Sequence, residues 1–245
     1  MKKYILLTNV LFLFACSSDQ DSVGANEQSN DGQGGSLATF ALKGDYLYTV
    51  DDNDLNVFSI VDPKNPTLVN TVFIGFDIET LFGHKDYLYI GSQNGMFIYG
   101  VTNPEFPEKL SSVEHFTACD PVVANDTHAY VTLHSNSFCG NNINTLEVYD
   151  VTTVTEPILI NTRNLSAPKG LGLYHNYLIV CDDEIKIFDI SDPQNSILVT
   201  SINKEAFDVI ISNDLLIAIG SEGLHQYKLN SNNMAAIEHY SSIQF

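Results

Sequence analysis

Residues 56–66 read Asn56-Val57-Phe58-Ser59-Ile60-Val61-Asp62-Pro63-Lys64-Asn65-Pro66, an apolar-rich run that stops at a proline corner. Short runs rich in Val, Ile and Phe, bounded by Pro and Asn, read as strands. Proline cannot donate to a sheet ladder, so Pro63 and Pro66 end the strand and turn the chain. The pattern returns as Lys186-Ile187-Phe188-Asp189-Ile190 followed by Asp192-Pro193-Gln194-Asn195, and again as Glu147-Val148-Tyr149-Asp150-Val151. A unit that recurs in this way is a repeat, and its period points to the architecture.

Around each such run the neighbourhood repeats as well. A β-type run precedes it at Tyr46–Val50, Tyr87–Ile90, Ala129–Thr132, Tyr177–Val180 and Leu215–Ile219. A short polar turn leads to the second run, at Leu55–Ile60, Met96–Val101, Leu146–Val151, Ile185–Ile190 and Leu224–Leu229. After the corner comes a third run, such as Thr67–Val72 and Ile197–Ile202. The aromatics Phe58, Tyr99, Tyr149, Phe188 and Tyr227 mark the period, with gaps of 41, 50, 39 and 39 residues. Repeat three therefore carries an insertion of about ten residues. No stretch holds helical periodicity. Four strands per unit of about 40 residues is the signature of propeller blades. The expectation is an all-β, five-bladed β-propeller over residues 36–245, closed into a ring with only short protected edges.

The units resemble the LVIVD repeat of bacterial propeller-like proteins. Asn56–Ile60, Glu147–Val151 and Lys186–Ile190 match its core, and the Asp-Pro-x-x-Pro corner matches its tail. Repeat five departs most, with Lys228 where the motif has Asp and no proline in its corner. The resemblance implies a fold and is nearly silent on function, because propellers host both enzymes and passive binders.

The N-terminus reads as an address. Lys2 and Lys3 precede a mostly apolar run from Tyr4 to Phe14, too short to span a bilayer and suited to a secretory signal. Leu13-Phe14-Ala15-Cys16 resembles the lipobox of bacterial lipoproteins, with Phe14 bulkier than usual there. The resemblance implies removal of residues 1–15 and acylation of Cys16, palmitate included, with several chains giving stable anchoring. Residues 16–35 carry one Val and no aromatic, so they read as a flexible tether reaching about 25 Å. Asp19 and Asp21 resemble surface-export signals of Bacteroidetes lipoproteins. The expected location is the outer membrane, lipid-anchored, facing the periplasm or the surface.

Losing residues 1–15 removes two lysines and no acid, taking the formal charge from −19 to −21. Such a surface repels phosphate backbones, which excludes nucleic acid as a natural partner. No second long apolar segment follows the first.

Aligning the segment before each first run places Ala38, Glu79, Asp120, Lys169 and Asp208 in equivalent slots at the start of the innermost strands. Those strands line a propeller's axis, so three carboxylates and one ammonium are expected at one channel mouth. Three uses remain open. The groups fasten adjacent blades; or they bind a cationic or hydroxyl-rich ligand or a calcium ion; or paired carboxylates act in a hydrolase or lyase. The repeat-three insertion, on the same face, contains Cys139, and Cys119 opens that blade's inner strand. In an oxidising compartment a Cys119–Cys139 disulfide would pin this loop, with Cys181 as a competing partner. Zinc is the rival, because His115 lies four before Cys119 and His134 five before Cys139. Neither a nucleophile elbow, a phosphate loop nor a metalloprotease helix motif occurs. The sequence therefore points to a non-catalytic binding or scaffolding module with a protein or glycan ligand, and secondly to a channel-mouth hydrolase or lyase.

Overall fold

In the computed structural model the described residues are 34–114, 121–134 and 143–245. Each repeat folds as a four-stranded antiparallel meander, and each meander is one blade. Blade 1 is β1 (Phe40–Lys43), β2 (Tyr46–Val50), β3 (Asp54–Ser59) and β4 (Thr67–Phe73). Blade 2 is β5 (Ile78–His84), β6 (Tyr87–Ser92), β7 (Gly95–Gly100) and β8 (Glu108–Glu114). Blade 3 is β9 (Val122–Ala124), β10 (His128–His134), β11 (Asn144–Asp150) and β12 (Ile158–Asn164). Blade 4 is β13 (Leu171–Tyr174), β14 (Tyr177–Cys181), β15 (Ile185–Asp189) and β16 (Ile197–Ile202), with one 3-10 turn at Pro193–Asn195. Blade 5 is β17 (Asp208–Ser212), β18 (Leu215–Gly220), β19 (Gly223–Lys228) and β20 (Glu238–Ile243). The five-bladed, all-β expectation holds.

Local chemistry explains why the repeat is so regular. The hairpin after each innermost strand is tight, and in four blades a residue takes the left-handed conformation: Gly44, Lys85, His175 and Asn213, at φ 51 to 54°. The next residue's carbonyl then accepts a hydrogen bond from the end of the third strand. Ile60, Val101, Val151, Ile190 and Leu229 donate to Asp45, Asp86, Thr127, Asn176 and Asp214, each at 2.8 Å. The period-marking aromatics have their own reason. In every blade the register between third and fourth strand slips beside Phe58, Tyr99, Tyr149, Phe188 or Tyr227, a β-bulge that sharpens the twist of the blade.

The blades pack through apolar faces. One cluster joins blades 1 and 2 through Tyr48, Val57, Leu81 and Leu88. Another runs through blades 2, 3 and 4, and a third joins blades 4 and 5 through Ile179, Cys181, Leu216 and Ala218. The second strand shows the consequence. In β6, β10 and β14 residues of both faces are buried, because each of those blades has a neighbour on either side. In β2 and β18 burial alternates, so blades 1 and 5 are covered on one face only.

Polar clasps reinforce three joints at the outer rim. Asn70 on β4 donates to the Glu105 carbonyl in the corner of blade 2 at 2.8 Å. Ser111 on β8 donates to Val154 in the corner of blade 3 at 2.6 Å, and Asn161 on β12 to Gln194 in the corner of blade 4. The corners of blades 2, 3 and 4 thus each offer a carbonyl to the blade before them.

The joint between blades 5 and 1 is different from the closed ring expected from sequence. Innermost strands pack in the order β1–β5–β9–β13–β17, with no comparable contact from β17 back to β1. No apolar cluster of the described residues joins blade 5 to blade 1. Residues 34–38, which lead into β1, make the closure instead.

Candidate functional site

Of the slot residues, Ala38, Glu79, Lys169 and Asp208 stand at or just before the start of their innermost strands, and the backbones of Ala38 and Lys169 tie neighbouring blades together. The Ala38 carbonyl accepts from Leu81 N–H at 2.7 Å, joining blades 1 and 2. Thr132 Oγ1 donates to the Lys169 carbonyl at 2.5 Å, joining blades 3 and 4. Gly170 N–H donates to the Phe207 carbonyl at 2.9 Å, joining blades 4 and 5.

Asp208 closes the ring with its side chain. Oδ1 accepts from Ser36 Oγ at 3.0 Å and Oδ2 from Leu37 N–H at 3.2 Å. Ser36 Oγ also accepts from Leu171 N–H at 2.7 Å, so one buried hydroxyl links the segment before blade 1 to blades 4 and 5. The carboxylate is pressed between two glycines. A Cβ on Gly35 or Gly170 would lie 2.1 or 2.2 Å from an Asp208 carboxylate oxygen, so neither position admits a side chain. Burial pushes the Asp208 carboxyl above the usual carboxylate range, and the hydrogen bonds it accepts from Leu37, Val209 and Ser36 only partly offset it.

The other slots are used differently. Glu79 sits on a bulge between Ile78 and Thr80, and Oε1 accepts from Gln93 Nε2 at 2.9 Å within its own blade. The Lys169 ammonium lies 5.3 Å from the Phe207 ring centroid, a cation–π contact between blades 4 and 5. Asp120 lies outside the described residues, as do Cys119, Cys139 and Cys16. Cys181, expected as a competitor for a disulfide, is a free thiol fully buried in the cluster between blades 4 and 5. That burial pushes its thiol well up, so it stays protonated.

Among the described residues there is little room at the axis. Phe82, Val123, Leu171, Val209 and Ile211 converge with Gly34 around a cavity of about 10 Å³, space for roughly one water. Among the described residues no three His, Cys, Asp or Glu side chains come together as a metal centre would need. On the opposite face, a polar cleft of about 350 Å³ is lined by Asp214, Lys228, Asn230, Asn232 and Glu238. Sequence reading missed the roles of Ser36, Gly35 and Gly170. The available signal was a Gly-Gly-Ser run abutting the first blade, and composition alone assigns such a run to a linker.

Comparison with known proteins agrees with this construction. The LVIVD repeat model matches residues 34–73 and 169–204. This five-bladed propeller carries LVIVD repeats. Both matched segments begin at the mouth, at Gly34 and at Lys169, so the LVIVD unit includes the inter-blade ties as well as the strands. No curated protein matches the sequence. Among solved structures, a protein from Lactobacillus plantarum is similar at 12% identity over 81% of this chain and 67% of that one, with a TM-score of 0.68. The periplasmic gluconolactonase of Pseudomonas aeruginosa is similar at 12% identity over 82% and 68%, with a TM-score of 0.63. The computationally designed Ika8 protein follows at 12% identity over 84% and 63%, with a TM-score of 0.60. At these identities the likeness is one of fold, and this chain spans about two-thirds of the length of each of those proteins.

Proposed function

We propose that this LVIVD-repeat propeller is a membrane-anchored lipoprotein that acts as a non-catalytic binding or scaffolding module at the outer membrane or cell surface. The observation that carries the non-catalytic half is the use made of Asp208. Its two oxygens accept from Ser36 and Leu37 across the closing joint, and among the described residues the axial cavity nearby is about 10 Å³. A hydrolase or lyase working through Glu79, Asp120 and Asp208 needs carboxylates open to substrate, and glycosidic chemistry needs two of them about 5–9 Å apart across it. Asp208 is instead committed to holding the ring, and Glu79 to Gln93. The likeness to a gluconolactonase rests on fold alone and carries no residue of a site.

Anchoring rests on the Leu13–Cys16 lipobox and the polar tether behind it. Among the described residues no helix is long and apolar enough to cross a membrane. The test is fractionation, with palmitate labelling, of cells producing the full chain or Cys16→Ala. Label and membrane partition in the first and neither in the second support the anchor; equal behaviour of the two refutes it. Turnover of lactones or glycosides that is lost in both Glu79→Gln and Asp208→Asn would refute the non-catalytic half.

A further inference from the structure

Among the described residues, the joint between blades 5 and 1 leaves two apolar sheet faces without a packing partner. In every other joint the trailing face of one blade packs on the leading face of the next. Blade 4 shows what a covered trailing face looks like: Ile179, Cys181, Ile185 and Ile187 are fully buried against blade 5. The equivalent positions of blade 5 are Ile217, Ile219, Leu224 and Gln226, and the ladder places the three apolar ones on one face with Ile210 and Ile243. Ile210, Ile219 and Ile243 are 40, 42 and 60% exposed.

Blade 1 is the mirror of this. Its leading face carries Phe40, Leu42, Leu47 and Phe58, aligned across β1, β2 and β3. Phe40 is 52% exposed and the other three are half-buried, whereas Leu178 and Leu216, which correspond to Leu47, are fully buried. The corner tells the same story. Pro107 and Ser196, which end the corners of blades 2 and 4, are buried under the preceding blade, while residues 61–67 of blade 1 are exposed throughout.

We propose that these faces bind each other between molecules: blade 5 of one copy docks on blade 1 of a second copy, head to tail. The two faces are complementary by construction, because each is one half of the joint the molecule already makes four times. Within one copy the Ser36–Asp208 tie holds the joint at its inner edge, and β17 and β1 do not pack together. Charge agrees. In a chain of net charge −19, the strand positions of these faces carry only Asp54, the buried Asp208, and Lys228 opposite Glu238 in the ladder. Apolar area this free of charge is what protein-to-protein contact buries. A heterologous contact of this kind builds rings or open chains of copies according to its angle.

The test mixes two single variants of the full chain in mild detergent, Leu47→Cys and Ile217→Cys, under oxidising conditions. At the joint of blades 4 and 5 the corresponding residues are Leu216 and Ile179, which share one cluster. The expected result is a disulfide-linked dimer severalfold more abundant in the mixture than in either variant alone, which controls for the native cysteines. No increase in the mixture overturns the proposal. Sedimentation of the wild-type chain and Ile217→Asp gives the second reading, with circular dichroism to verify the fold. A mass above monomer that falls in the variant supports the docking; a wild-type monomer, or a mass unchanged in the variant, overturns it.

Discussion

Ser36 Oγ lies 3.0 Å from Asp208 Oδ1 although 172 positions separate the two residues in the chain. This hydrogen bond and its neighbours join the segment before the first blade to the last one, where the other joints have an apolar cluster. Removing Asp208 leaves the Ser36 hydroxyl and the Leu37 amide without an acceptor. Asp208→Ala is expected to cost about 2 kcal/mol, and Ser36→Ala about as much by stranding Leu171 N–H. Equilibrium denaturation of each variant checks both values.

The same carboxyl gives a pH dependence with a definite sign. Burial raises its folded-state pKa above the ordinary 3.8, so the folded protein prefers the protonated acid. Its contribution is present in full below pH 3.8 and is lost as pH rises through the raised folded value. Asp208→Asn removes this dependence. Denaturation midpoints of wild type and variant across pH 3 to 7 should differ in slope over that window.

Asp182 is the second buried acid on which stability depends. Its side chain is fully buried, accepts from Ser166 and Ala167 N–H, and pairs with Lys186 at 2.7 Å. Asp182→Ala leaves two amides without an acceptor, while Lys186 keeps Asp183 at 2.6 Å, and is expected to cost about 2–3 kcal/mol. Urea unfolding measures it.

The corners give a comparison inside one molecule. Pro107 is covered by blade 1, and Pro66 has no blade over it. Pro107→Ala should lower the thermal midpoint more than Pro66→Ala. Ser111→Ala, which removes one clasp, should cost about 1 kcal/mol. Equal effects of the two proline changes would mean that blade 1's corner is covered after all.

Cys181 should resist alkylation in the native state at pH 8, because burial both hides the thiol and keeps it protonated. Site-resolved mass spectrometry after iodoacetamide treatment, native against unfolded, reads this directly.

The blades were legible in the sequence because their cause is local. Runs such as Tyr46–Val50 and Ile197–Ile202 coincide with β2 and β16, and the aromatics that mark the period each sit at a bulge. The slot alignment also put Asp208 and Lys169 together at one end of the innermost strands, around one channel mouth. What it could not reveal was how the ring ends meet. Leu47 and Leu216 have the same identity and the same place in their repeats, yet one is half-buried and the other fully buried. That difference depends on whether a neighbouring blade exists on that side, a long-range fact absent from any single repeat. The Ser36–Asp208 bond is hidden for the same reason, since a serine in a Gly-rich run has the composition of a linker.

Thermal unfolding of wild type and Asp208→Ala, each with and without calcium, tests most directly whether the channel-mouth acids hold the ring. The account predicts that the substitution lowers the midpoint by about 4–8 °C and that calcium moves neither protein. A calcium-dependent rise in wild type that Asp208→Ala abolishes, with no loss of stability in the metal-free variant, would contradict it and make the mouth an ion or ligand site.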